Sequence, residues 1–241
     1  MVRIQKAGPL HQLSFLPSFF PVNCYIVEEE TSLTLIDAAL PFSVKDIMGM
    51  VKKLEKPIEH IVLTHAHEDH VGALDALKAM LPDVPVYLSE RDTRLLNGDL
   101  SVDPEEPQKP IKGGLPKRMN TRPDVQLNDG DRIGSLEAIF TPGHTPGSMS
   151  FYDHRNGQII AGDALQTRGG IAVSGTVKPL FPFPALATWD KETAIESAKR
   201  IQSLNPSLLA VGHGQMMTEP EYAIQRAIGE AERKQERKRS R

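Results

Sequence analysis

IVLTHAHEDHVGAL, residues 61–74, carries an apolar run straight into three histidines and two acids within six positions. Histidine is scarce, 8 in 241 residues, so the clustering asks for a chemical reason. IVLT has the character of a buried strand, and from Gly72 onward Leu74, Leu77, Met80 and Leu81 recur at helical spacing until Pro82. HAHEDH is therefore predicted on the turn between strand and helix, where side chains in α/β structures converge. Imidazole nitrogen and carboxylate oxygen are ligands of zinc and related first-row metals. The alternation His65-x-His67 lets two imidazoles reach one point, and Asp69 and His70 then point to a second place nearby.

On either side, β-branched runs alternate with amphipathic ones. VNCYIV (22–27) and SLTLID (32–37) flank the acidic EEET as a predicted hairpin. FSVKDIMGMVKKLEK puts Val44, Ile47, Met48, Val51 and Leu54 on one helical face, with Pro57 as its stop. VPVYLS (84–89) and SLEAIF (135–140) read as strands, as do SMSFYD and GQIIAG around the turn at Asn156-Gly157. TWDKETAIESAKRIQSL reads as a helix capped by Asp190, PSLLAVG as the last strand, and a terminal helix opens near Pro220. Two similar halves, each a β block followed by helix and strand, predict a four-layer αββα sandwich with a central crevice. Residues 1–241 read as one domain. Within it, the Pro-, Gly- and charge-rich 97–124 is expected to be a loop folded over the body with its charges solvated. Residues 164–188 form a second variable loop and 230–241 a basic, solvated helical tail.

Composition sets limits. Hydrophobic content of 39% and charged content of 24% are those of a globular protein. A net charge of −3 offers no pull toward nucleic acid or membrane. The lone Cys24 cannot form an intrachain disulfide, which fits a reducing compartment. Pro17 and Pro21 interrupt the N-terminal apolar stretch, as no signal peptide would require. The expectation is a cytoplasmic protein acting on a small molecule, without a nucleic-acid or membrane partner; composition leaves the oligomeric state open.

Three further residues share the logic of the cluster. His144 sits in TPGHTPGS directly after SLEAIF, Asp163 in IIAGDAL after another apolar strand, and His213 in LLAVGHG at the end of a third. With HAHEDH they give five histidines and two aspartates at strand ends, an inventory suited to two metal ions. Asp37 closes SLTLID, where it either accepts a hydrogen bond from a ligand histidine or caps a turn. His11, His60 and His154 read as surface or turn residues, and Cys24 as core. Phe181, Phe183 and Trp189 either wall an acyl pocket or pack their loop on the body.

The order H-x-H-x-D-H, His, Asp, His resembles that of the metallo-β-lactamase-fold metallohydrolases, in their hydroxyacylglutathione hydrolase and lactonase-like branch. VNCYIV…LTLIDAAL is similar to the family's first hairpin and TPGHTPGS to its setting for the fourth histidine, so the likeness spans most of 20–215. The resemblance implies the αββα sandwich and two divalent ions, zinc foremost, with manganese, iron and cobalt as alternatives. It places one ion on His65, His67 and His144 and a second on Asp69, His70 and His213, with Asp163 bridging. It gives Asp69 a catalytic part as well, orienting a metal-bridging hydroxide and passing its proton to the leaving group. The implied reaction is hydrolysis of a carboxylic ester, thioester or lactone. Asp163 stands where many β-lactamases carry Cys or Ser, which points away from antibiotic hydrolysis. A single helix after His213 points away from a glutathione thioester, and none of Tyr25, Tyr87, Tyr152 or Tyr222 lies in the loop after Asp163 to single out a lactone. The same resemblance keeps open a mononuclear iron persulfide dioxygenase and a nuclease.

Overall fold

The computed structural model describes residues 2–240. Its first sheet runs, in spatial order, β1 (Arg3–Ala7), β2 (Leu10–Phe15), β3 (Val22–Glu28), β4 (Leu33–Ile36), β5 (Ile58–Val62), β6 (Val86–Ser89) and β7 (Val125–Leu127). The first four strands pair antiparallel and the last four parallel. Parallel neighbours need crossovers, supplied by α1 (Val44–Leu54), α2 (Glu68–Val71) with α3 (Leu74–Met80), and α4 (Glu90–Leu96). The second sheet contains β8 (Arg132–Ile133), β9 (Leu136–Phe140), β10 (Met149–Asp153) and β11 (Gln158–Ile160). A ribbon of β12 (Leu165–Gln166) and β13 (Ala172–Val173) follows, then α5 (Phe183–Ala187) and α6 (Lys191–Ser203). Strands β14 (Leu208–Ala210) and β15 (Met217–Thr218) complete the second sheet beyond β11, and α7 (Glu221–Arg239) closes the described chain.

Strand alternation builds the layers. In β3, Cys24 and Ile26 pack toward α1, α3 and α4, while Tyr25 and Val27 face the other sheet. In β14, Leu208 and Ala210 face the first sheet, while Leu209 packs toward α6 and α7. Three apolar layers thus separate four layers of structure, which is the αββα sandwich. Both sheets are apolar on both faces, which is why their strands read as continuous runs rather than as strict alternation.

Several details differ from the sequence reading. The β1–β2 hairpin precedes the predicted one; its polar residues, such as Gln12 and Ser14, are buried but gave no strand signal. Helix α1 stops at Glu55 in the left-handed conformation, φ 55°, before Pro57 is reached. The second half of HAHEDH is already helical, as α2, and Gly72 marks the break before α3. A Cβ at Gly72 would lie 2.7 Å from the Ala39 carbonyl oxygen, so close packing of the break requires glycine there. PSLLAVG is not the last strand, because β15 returns antiparallel beside it. Residues 164–188 carry β12, β13 and α5 rather than a bare loop.

Residues 97–124 have no regular secondary structure, and their charges are not simply solvated. Arg91 grips Glu106 through two bonds of 2.7 and 2.9 Å, and Arg94 holds Asp103 through two of 2.8 Å. Further on, Trp189 Nε1 donates to the Lys109 carbonyl at 3.0 Å, and the Lys109 ammonium pairs with Asp190. The segment is a strap fastened to both halves of the sandwich.

His11 is buried rather than at the surface, with its ring 2.9 Å from Glu28, which also binds Lys6 at 3.1 Å and Lys56 at 3.4 Å. The His11 bond foremost, against a smaller opposing effect of burial and with help from both lysines, depresses the Glu28 pKa to about 2. A carboxylate depressed on folding stabilises the protein fully above its unfolded pKa and loses that contribution as pH falls through the folded one. Urea unfolding is therefore expected to show a stability loss between about pH 4.5 and 2 that is smaller in Glu28→Gln.

Candidate metal centre

The strand ends of both sheets open onto one cleft. The β5–α2 connection brings His65 and His67, α2 brings Asp69 and His70, the turn after β9 brings His144, the turn after β11 brings Asp163, and the turn after β14 brings His213. These seven side chains form three overlapping groups: His65, His67 and His144; His65, His70 and Asp163; and Asp69, His70 and His213. Within each group the ligand atoms lie within 4.8 Å of one another.

Each imidazole has one nitrogen committed elsewhere. Thr64 Oγ1 donates to Asp37 at 2.8 Å, so it accepts from His65 Nδ1 at 3.0 Å and leaves His65 Nε2 bare. His70 Nδ1 donates to the same Asp37 oxygen at 2.7 Å, and His213 Nδ1 to the Pro21 carbonyl at 2.6 Å. Thr188 donates to the Pro184 carbonyl, Ser174 donates to Thr188, and His144 Nδ1 therefore donates to Ser174 at 2.9 Å. His67 is turned the other way: its Nε2 donates to the Lys112 carbonyl at 2.9 Å, leaving Nδ1 bare. Five ring nitrogens, four Nε2 and one Nδ1, consequently face the same space.

That arrangement has little stability of its own. His67 Nδ1 and His144 Nε2, both without a proton, stand 2.9 Å apart. His65 Nε2, His70 Nε2 and Asp163 Oδ1 are buried without any hydrogen-bond partner, at a cost of roughly 1–3 kcal/mol for each such group. Cations relieve both defects, and imidazole with carboxylate is a donor set that zinc and its neighbours accept. The residues fit the metals.

Asp163 is the pivot. Its Oδ2 lies 3.3 Å from His144 Nε2 and 3.1 Å from His213 Nε2, and its Oδ1 lies 3.4 Å from His70 Nε2. Asp69 Oδ2 stands 3.4 Å from His213 Nε2 and 4.0 Å from His70 Nε2, with its side chain 28% exposed toward the cleft. Burial raises the Asp163 pKa, but His213, His70 and His144, when protonated, outweigh it and hold this carboxyl well below the usual range. Against burial, nearby carboxylates including Asp163 and Asp69 in turn raise the pKa of His70 and His213, so an ion binding there displaces protons. Burial pushes His144 down to about 3, with Asp163 opposing, so its imidazole is neutral at physiological pH, as a ligand must be.

A family model described as the metallo-beta-lactamase superfamily matches residues 17–213. The chain belongs to the metallo-beta-lactamase superfamily. A Bacillus subtilis (strain 168) member, the uncharacterized protein YobT, is 57% identical over 232 residues, 96% of this chain and all of the other. The hydroxyacylglutathione hydrolase GloC of Haemophilus influenzae is 30% identical, covering 83% of this chain and 88% of its own. Among solved structures, TTHA1623 in a di-iron-bound form shares 28% identity with a TM-score of 0.63, covering 92% and 96% of the two chains.

In this superfamily member the residues that orient the candidate ligands were mostly invisible to sequence reasoning. Asp37 is the exception, and of its two readings the acceptor is the one realised: it holds Thr64 and His70 from a left-handed backbone, φ 62°. Asp92 is wholly buried and takes Ala66 N at 2.9 Å, Gly147 N at 2.8 Å and Thr145 Oγ1 at 2.8 Å, which pins the HxH turn to the His144 turn. Asn23 binds the Val211 and Gly214 carbonyls at 2.7 and 2.8 Å and so shapes the turn around His213. An aspartate in the first turn of a short helix and an asparagine in a strand give no sign in the sequence of such long-range partners. Cys24 is core, and burial pushes its thiol pKa far up, which keeps it a thiol rather than a thiolate.

Asp37→Asn tests the orienting network. Because Asp37 Oδ2 accepts from both Thr64 and His70, an amide there either loses an acceptor or confronts a donor with a donor. Metal affinity is expected to fall about ten- to a hundredfold, the usual loss when a group holding a ligand is changed; competition with a chromophoric chelator reads it.

Proposed function

We propose that the protein is a dinuclear metal-dependent hydrolase, with zinc as its metal, that cleaves a carboxylic ester, thioester or lactone. The observation that carries this reading is the set of five imidazoles whose outer nitrogens are all engaged, which turns their five remaining nitrogens toward one another and Asp163, three of the rings at the floor of one cleft and His65 and His70 buried beneath it. Two divalent ions, when bound, lower the pKa of water to about 7 and polarise a carbonyl oxygen.

His65, His67 and His144 would hold one ion and Asp69, His70 and His213 the other, with Asp163 between them. The remaining work falls to the chain. Asp69 is the candidate ligand carboxylate most open to the cleft, so its Oδ2 can take the proton of an attacking water and return it to the leaving oxygen or sulfur. Buried Asp163 and His144 keep their positions without solvent, so the site needs no rearrangement as charge develops on the substrate. Among the described residues no lysine or arginine lines the cleft, which disfavours a phosphodiester backbone as substrate.

The test is to load chelator-stripped protein with zinc, manganese or iron, count ions per chain, and assay lactones, thioesters, esters and phosphodiesters beside His67→Ala. Two ions with carbonyl-ester turnover, both lost in His67→Ala, are expected. Full turnover in stripped protein overturns the reading, and a single iron with oxygen uptake replaces it by dioxygenase chemistry.

A further inference from the structure

The cleft above the candidate metal centre has a volume of about 520 Å³ and two unlike sides. Its floor is His67, Asp69, His144, Asp163 and His213. One wall is apolar: Phe20, Leu40, Pro41, Phe183, Leu186 and Ala187. The lining also includes the strap at Gly113 and Gly114, with the Glu68 carboxylate beside Gly114. Its charged side chains are all acidic, Glu68 and the two candidate ligand aspartates.

The apolar wall does not end at the cleft. Phe20, Phe181 and Phe183 form a cluster with centroids 5.0–5.3 Å apart, and Phe20 and Phe181 each lie 5.4 Å from the His213 ring. Phe181 is buried and so supports the wall from behind, whereas Phe183 is 46% and Leu186 65% exposed at its mouth. Trp189 is buried against the strap and takes no part in the wall. Large apolar side chains left exposed at the rim of a pocket mark a ligand surface.

Resting on the hydrolase reading, we infer that the substrate is uncharged and carries an apolar acyl or alkyl chain, which lies along Phe20, Phe183 and Leu186 while its carbonyl sits over the candidate metal centre. An anionic substrate tail would meet no counter-ion in this cleft and would face Glu68. Phe183 and Leu186 are thereby specificity-determining residues.

The experiment compares neutral p-nitrophenyl esters from acetyl to octanoyl, the matching alkyl γ-lactones, and the adipoyl counterpart of the hexanoyl ester on metal-loaded protein. Burying each methylene is expected to raise kcat/KM about two- to fourfold until the wall is covered. The adipoyl ester is expected to run at least about tenfold below hexanoyl, since its carboxylate gives up water for an unpartnered surface. Leu186→Ala should flatten the length dependence, and Leu186→Lys, at an exposed position that tolerates charge, should reverse the hexanoyl-over-adipoyl preference. If no ester, thioester or lactone turns over, the hydrolase reading fails. The inference about the wall is then read separately from the binding of neutral 2-alkanones by calorimetry, where affinity should climb with chain length by the same factor. A flat series in both turnover and ketone binding overturns it. So does a flat series in which Leu186→Asp converts a dimer into a monomer, which gives the wall to a second copy of the chain.

Discussion

Asp163→Ala is expected to release the metal and to lower turnover by about a thousandfold or more. The carboxylate has three imidazoles within 3.1–3.4 Å, and its Oδ2 faces His144 of one candidate group and His213 of the other. Removing it deletes the one negative charge common to both positions, and an electrophilic metal contribution is worth several kcal/mol, or about three orders of magnitude. Asp163→Asn is not a gentler change. One amide N–H would then donate into the bare nitrogen of His213 or His144, occupying the lone pair that a metal needs. Ion counts and turnover should fall together in both variants, with the circular dichroism of the fold retained. Retention of two ions by Asp163→Ala would show that the carboxylate serves only packing.

Gly113→Ala is the second large effect, expected at about a hundredfold in metal affinity and activity, the upper range for a group that positions a ligand. Gly113 adopts φ 93°, a conformation that favours glycine, and the missing Cβ is what lets the strap lie against His67. An added methyl would overlap the imidazole at Nε2, with its Cδ2 only 2.8 Å away. It would therefore break the bond from His67 Nε2 to the Lys112 carbonyl and free the ring to turn its other nitrogen inward. Gly114 supplies the control, because a Cβ there meets only a Glu68 oxygen at 3.8 Å. Gly114→Ala should keep its metal, and the thermal midpoints of the two variants should stay close, since the strap contributes no strand or helix to the core. Equal metal affinity in both variants would mean that the strap does not orient His67.

The reach of sequence reasoning follows from the range of the forces involved. Strand and helix periodicity is local, so β3, β5, α1 and α6 could be read from their own residues. The candidate ligands could be read because they cluster by type at the ends of those strands. What holds them could not. Asp92 reaches Gly147 across 55 residues, and Asn23 reaches Gly214 across 191, through hydrogen bonds that leave no mark on local composition. The strap misled for the opposite reason. Its charges resemble those of a solvated loop, and only their partners Arg91, Arg94 and Asp190 make them fasteners.

The candidate centre draws four residues from the first half of the chain and three from the second, so neither half can house an ion by itself. Synthesis has consequences for such a centre. During translation the histidine at position 213 leaves the ribosome late, and until it docks against Pro21 the second group lacks a member. The group of Asp69, His70 and His213 in the proposed centre can therefore hold an ion only after the chain has been made through position 213, whereas that of His65, His67 and His144 is complete earlier.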